Sequence, residues 1–208
     1  FALVAIIGLL PTGMRVQQEN REDTLINQDA QYLIEAIRSG ATGPAAGVLL
    51  SYVDQVQFGT TNYVRGGGSD QYSNGFELIG LLSRPAVVQR AILRNISGTA
   101  SDLGLTAEAR DFAFTYAVFL ELRPDIRQVA VVQPNVWNPV TTNLVRVTNH
   151  YDLHLDFRWP VITNPPGTFR TGSGRKVFRT VIAGQLVETN SPDIAAPLYY
   201  FSPQTFLP

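Results

Sequence analysis

Phe1-Ala2-Leu3-Val4-Ala5-Ile6-Ile7-Gly8-Leu9-Leu10-Pro11-Thr12-Gly13 opens the chain. A polar and then amphipathic run follows from Met14 to Arg38, so the whole reads as one rod. Its first ten residues carry no charge and make about 15 Å of helix at about 1.5 Å per residue. Crossing a bilayer takes about 20 apolar residues, so this segment alone is too short to span. A secretory signal also fits poorly, because no basic residue precedes the apolar run and no small-residue cleavage site follows it. Three readings stay open: a helix buried in an assembly, half of a longer membrane helix, and an ordinary buried helix at a domain edge.

From Arg15 to Thr24 the rod is polar almost all round, which suits a solvated or inter-subunit helix. Leu25, Ile26, Ala30, Leu33, Ile34 and Ile37 then recur at three- and four-residue spacing. That lower half is expected to dock on a globular head, with Leu25, Ile26, Leu33, Ile34 and Ile37 as the seam. Ser39-Gly40 and Gly43-Pro44 should end the helix. Gly8 and Pro11 mark an expected kink, since proline removes an intrahelical hydrogen bond. The division expected is a stalk over residues 1–40 and a β-rich head with an extended Pro/aromatic tail over 41–208.

Composition narrows the function. The 208 residues carry 16 basic and 17 acidic side chains, for a net charge of −1. No basic excess argues for nucleic acid or an anionic membrane surface as partner. With no cysteine in the chain, disulfides, thiolate metal sites and cysteine nucleophiles are excluded. A single lysine, Lys176, beside many arginines, glycines and prolines reads as an exposed, turn-rich, exported protein.

Beyond the rod, Gly47 to Val53 fits a strand or a short helix. Phe58 to Gly75, with its triple glycine, reads as loop; no GxxxxGK[ST] pattern supports a phosphate cradle. Ser83, Pro85 and the apolar positions Val87, Val88, Ala91, Ile92 and Ile96 predict a helix ending near Ser97-Gly98. Asn95-Ile96-Ser97 is a formal glycosylation sequon on it. Strands are predicted over Phe112 to Leu122, Leu144 to Trp159 and Lys176 to Val187, the last two pairing as a hairpin across turns at Asn164 to Gly167 and Gly172-Ser173-Gly174. The Pro- and aromatic-rich tail from Ser191 should lie extended on the head or on a neighbour. The fold class is α+β: a long N-terminal α-helix, then a head built on an antiparallel sheet.

Candidate chemistry is sparse. Alternation puts His150, Asp152, His154 and Asp156 on one strand face, a possible ligand row for a divalent ion but also an ordinary solvated face. No GxSxG, HExxH or SxxK pattern signals nucleophilic or zinc chemistry. The Arg175-Lys176 cluster reads as a loop held by carboxylates rather than an anion site. Trp137 and Tyr199-Tyr200-Phe201 read as contacts or core. No enzyme activity and no cofactor is expected.

The opening stretch resembles the second half of the hydrophobic helix in type IV pilin-like proteins with a prepilin-type N-terminus. It is especially similar to the Verru-Chthon cassette proteins, relatives of type II secretion pseudopilins. Further likenesses are Leu78 to Pro85, Ala91 to Gly98, and Leu153 to Pro160 followed by Gly174 to Thr180. The resemblance implies a structural subunit of a type IV pilus-like extracellular filament, with Phe1, Leu3, Val4, Ile6, Ile7, Leu9 and Leu10 in the polymer core. It also implies a prepilin peptidase and an assembly machine as partners, and residence in the inner membrane before assembly. A minor pseudopilin is the alternative, and an anchored binding module or enzyme using the His150 to Asp156 face the more distant one. The family carries a glutamate near its mature start where this chain has Ala5. Either Phe1 lies downstream of the mature start, with further apolar residues before it, or the chain starts here without that glutamate.

Overall fold

In the computed structural model, the described residues are 2–40, 45–66, 70–96, 114–125, 127–133, 141–147, 149–164 and 168–202. Side chains are described within them from residue 16 on, except in 127–147, 163–164 and 168. The architecture is α+β: one long helix, two short ones and a mostly antiparallel sheet.

Helix α1 (Ala2–Ser39) contains Gly8 and Pro11 within its continuous span. The chain is therefore helical through both positions of the expected kink. Phe1 lies outside the described residues, as do the side chains of Leu3, Val4, Ile6, Ile7, Leu9 and Leu10. The helix stops where the sequence indicates, with Gly40 in the left-handed region at φ +61°, a conformation that glycine adopts without steric cost.

The second helix, α2 (Ala45–Tyr52), settles the ambiguous stretch as helix. Strands β1 (Val53–Phe58), β2 (Thr61–Arg65) and β3 (Gln71–Tyr72) occupy much of the expected loop. They form because Tyr63 and Tyr72 are buried, and the Tyr72 hydroxyl donates to the Val53 carbonyl at 2.9 Å. Residues 67–69, most of the triple glycine, lie outside the described residues.

Between Gly75 and Val88 the sequence misleads. Helix α3 (Gly75–Leu82) precedes Ser83, which caps its C-terminus rather than starting the next helix. Its cap chemistry is upstream: Asn74 Oδ1 accepts from Glu77 N at 2.9 Å, and the Glu77 carboxylate accepts from Ser73 N at 2.7 Å. This reciprocal pairing satisfies backbone donors that helix geometry leaves free. Residues 88–94 form a strand, β4 (Val88–Arg94), not the predicted helix. Val88 and Arg90 are exposed and Gln89 and Ala91 buried, so the apolar positions serve a period of two as well as one of 3.6. Pairing with both neighbours decided between them.

Strand β5 (Thr115–Pro124) matches the predicted run at its described end, with Tyr116, Val118, Leu120 and Leu122 buried. The run from Leu144 is two strands rather than one: β7 (Thr141–Val147), paired with β6 (Arg127–Gln133) as a separate ribbon, and β8 (His150–Asn164). Strand β9 (Thr168–Ala183) pairs with β8 along its length. The expected turn at Gly172 to Gly174 is inside β9. Glycine is needed there for close approach: a Cβ at Gly174 would stand 2.5 Å from the Trp159 indole.

These strands give a seven-stranded sheet in the order β3-β2-β1-β4-β5-β8-β9, antiparallel except at β2–β3. Strand β10 (Gln185–Thr189) pairs with β11 (Leu198–Ser202), which carries the tail back onto the head. Tyr200 stacks on Phe76 of α3 at 4.1 Å, and Phe201 meets Tyr151 edge-on at 5.2 Å. The core lies between the inner sheet face, which carries Tyr151, Leu153, Leu155 and Phe157, and the layer of α1, α2, α3 and β11.

Candidate functional site

Docking of the rod on the head organises the molecule. Leu25, Ile26, Leu33, Ile34 and Ile37 are all buried, as the apolar stripe requires. Each well-buried aliphatic side chain contributes roughly 2 kcal/mol, so the seam is a substantial apolar joint. The helix from Val16 to Arg21, by contrast, is exposed.

Polar groups fix the helix in register on that joint. Asp29 is fully buried; its Oδ2 accepts from the Tyr116 hydroxyl at 2.8 Å and from the Ile96 amide at 3.0 Å. One carboxyl group thus ties α1 to β5 and to the end of β4. Burial, with Asp29 alongside, pushes the Tyr116 hydroxyl well above its ordinary pKa, so it stays a donor. Higher on the rod, Trp159 Nε1 donates to Glu22 at 2.8 Å and Lys176 pairs with Asp23 at 2.5 Å. No sequence motif names Asp29. A signal was present: it stands three residues after Ile26 and four before Leu33, a carboxyl group on the apolar stripe.

The far side of the sheet carries the row that alternation foresaw. His150, Asp152, His154 and Asp156 share one face of β8 while Tyr151, Leu153, Leu155 and Phe157 face the core. Both carboxylates are engaged by arginines. Arg179 Nε donates to both oxygens of Asp152, at 3.0 and 2.8 Å. Asp156 accepts from Arg158 Nη2 at 2.7 Å and from Arg175 Nε at 2.9 Å. Among the described residues no group of three or more His, Cys, Asp or Glu is placed to hold a metal ion. The row is an ion-pair lattice, and Arg175 and Lys176 are strand residues held by carboxylates. Glu121 and Arg123 extend the lattice on β5, pairing at 2.7 Å. Arg158 and Arg90 lie over the Phe119 ring at 4.5 and 5.5 Å.

This lattice makes the fold acid-sensitive. Arg179's hydrogen bonds hold Asp152 below the usual carboxylate range. For Asp156, burial alone would raise the pKa, but Arg158 and Arg175 outweigh it and the net shift is downward. Depressed folded-state values mean that the unfolded chain binds more protons, so this stabilisation is present above about pH 4 and is lost as pH falls through the folded-state values. Urea midpoints measured from pH 7 to pH 2 should fall on the acid side. In Arg158→Gln with Arg175→Gln, which removes the groups that depress Asp156, stability should be lower at pH 7 and the acid decline shallower than the parent's, because the folded-state carboxyl then no longer binds protons less readily than the unfolded one. An unchanged acid limb in that variant would count against the lattice.

Two expectations concern single residues. The sequon asparagine, Asn95, is 5% exposed and is closed to a glycosyl transferase in the folded chain. Trp137 lies outside the described residues. Among the described residues no helix is long and apolar enough to cross a membrane. The chain matches no family model, no curated protein and no solved structure.

Proposed function

We propose that the protein is the structural subunit of a type IV pilus-like helical filament, whose N-terminal helices bundle at the centre and whose β-rich heads form the outer wall. The supporting observation is the uneven dress of α1. Its lower half is seated on the head through the apolar joint and the Asp29 tie, while Val16 to Arg21 are exposed. The helix runs on from Val16 to Ala2, about 21 Å at about 1.5 Å per residue. Many such rods sharing one core would bury the apolar sequence Leu3, Val4, Ile6, Ile7, Leu9 and Leu10. Head-to-tail contacts that do not close on themselves generate open filaments. On this reading the subunit waits in the inner membrane, is processed by a prepilin peptidase and is assembled by a secretion-type machine at the cell surface. It uses no cofactor and performs no catalysis.

Electron microscopy of native material tests the proposal. Long homopolymers are the expected result; sparse, short particles would favour a minor pseudopilin instead. The more distant alternative, a binding module or enzyme working through the β8 face, predicts that His150→Ala with His154→Ala removes an activity or a bound ion. We expect that double variant to fold and assemble like the parent.

A further inference from the structure

We infer that successive copies of this chain contact each other through two charged patches on opposite sides of the sheet, the arginine-bearing outer face of one head entering the acidic cleft beside the rod of the next. The inference rests on the filament reading and adds to it the surfaces that the heads use.

The first patch is the face described above. Arg90, Arg123, Arg158, Arg175 and Arg179 stand there against Glu121, Asp152 and Asp156. Asp125 lines the groove between Arg123, Asp152 and Arg179 as well, so five positive against four negative side chains leave an excess of one positive, in a chain whose net charge is −1. Val88, Val177 and Val181 on the same face are 46%, 44% and 59% exposed, with Phe119 among the arginines. Arginine with aromatic and aliphatic surface and no lysine is the composition of protein contacts rather than of a merely solvated face.

The second patch lies across the sheet. Glu19, Glu22 and Asp23 of α1 line a cleft of about 900 Å³ whose far wall is Trp159, Pro160 and Gly174. Lys176 pairs with Asp23, so three negative charges against one positive leave an excess of two negative. Strand β9 joins the patches, because its alternation sends Lys176 inward to α1 and Arg175 and Arg179 outward to the lattice. Complementary patches on opposite faces of one body make a heterologous contact, which repeats from copy to copy. A second copy is therefore the occupant that fits both surfaces at once.

Because the parent has no cysteine, the contact can be trapped directly. The full chain carrying Gln18→Cys and Val177→Cys, treated with a short bis-maleimide, should give a ladder of covalent trimers and longer products. Each single variant should stop at dimers. A second arm measures parent self-association by sedimentation, which should weaken as salt screens the charges. It should fall about ten-fold or more in Arg175→Glu with Arg179→Glu. No ladder, or self-association indifferent to salt, overturns the contact even if the charge-reversed variant fails to fold. Long filaments without the ladder sink this contact alone and leave rod bundling standing. A ladder from a chain that forms no filaments would instead sink the filament reading and keep the contact.

Discussion

Asp29→Ala should destabilise the protein by about 2–5 kcal/mol, because it strands two buried donors at about 1–3 kcal/mol each. The Tyr116 hydroxyl and the Ile96 amide both lose their acceptor in the closed seam. Against a total stability of about 5–15 kcal/mol for an ordinary domain, that is a large share. Tyr116→Phe removes a donor and leaves the carboxyl group with the Ile96 amide, so its cost should be smaller, about 1–2 kcal/mol. In a double-mutant cycle the two substitutions should be clearly non-additive, as expected for residues in one hydrogen-bond network. Urea unfolding followed by far-UV circular dichroism gives all three numbers. An Asp29→Ala midpoint equal to the parent's would show that the apolar joint alone sets the register of α1.

Gly40→Ala is the second large effect, and it acts at the other end of the seam. The added methyl would meet the Phe201 carbonyl oxygen at 2.4 Å, and the residue sits at φ +61°. Forcing an L-residue into the left-handed region costs roughly 1–2 kcal/mol. The backbone contact is additional, because a carbonyl cannot rotate away as a flexible side chain can. We expect about 2–4 kcal/mol in all, within the range of strained-backbone substitutions. Gly40→Asn separates the causes, since asparagine tolerates the dihedral better but carries the same Cβ. It should remain nearly as destabilised as the alanine variant. Recovery of parental stability in Gly40→Asn would mean that the dihedral dominates and that β11 can yield.

These two positions differ in how far the sequence announces them. Gly40 is legible as a helix stop, since Ser39-Gly40 follows the last apolar position of the stripe. That β11 packs against it is not, because the tail is far away in the chain and its Pro-rich spacing does not name a docking place. Asp29 is readable as an oddity of the stripe, but its partners are 87 and 67 positions on, and nothing local points to them. The same division runs through the capping of α3. Asn74 and Glu77 hold the three-residue spacing of a capping box, yet Ser191, which also donates to Glu77 at 3.0 Å, comes from the tail.

What the sequence determined by itself is whatever depends on short periods. The three- and four-residue stripe of α1, the alternation of β8 with its charged and apolar faces, and the hairpin order of β8 and β9 all follow from how side chains project from a helix or a strand. Only the tertiary structure decided the segments whose local signals were compatible with two periods or two conformations. Residues 88–94 became a strand because β1 and β5 offered hydrogen-bonding edges on both sides. Gly172 to Gly174 stayed extended because Trp159 needed the space above them. Helix α3 took up the residues before Ser83 because a segment buried almost all round needs the middle of the core, where the sheet, α2 and the tail could cover it.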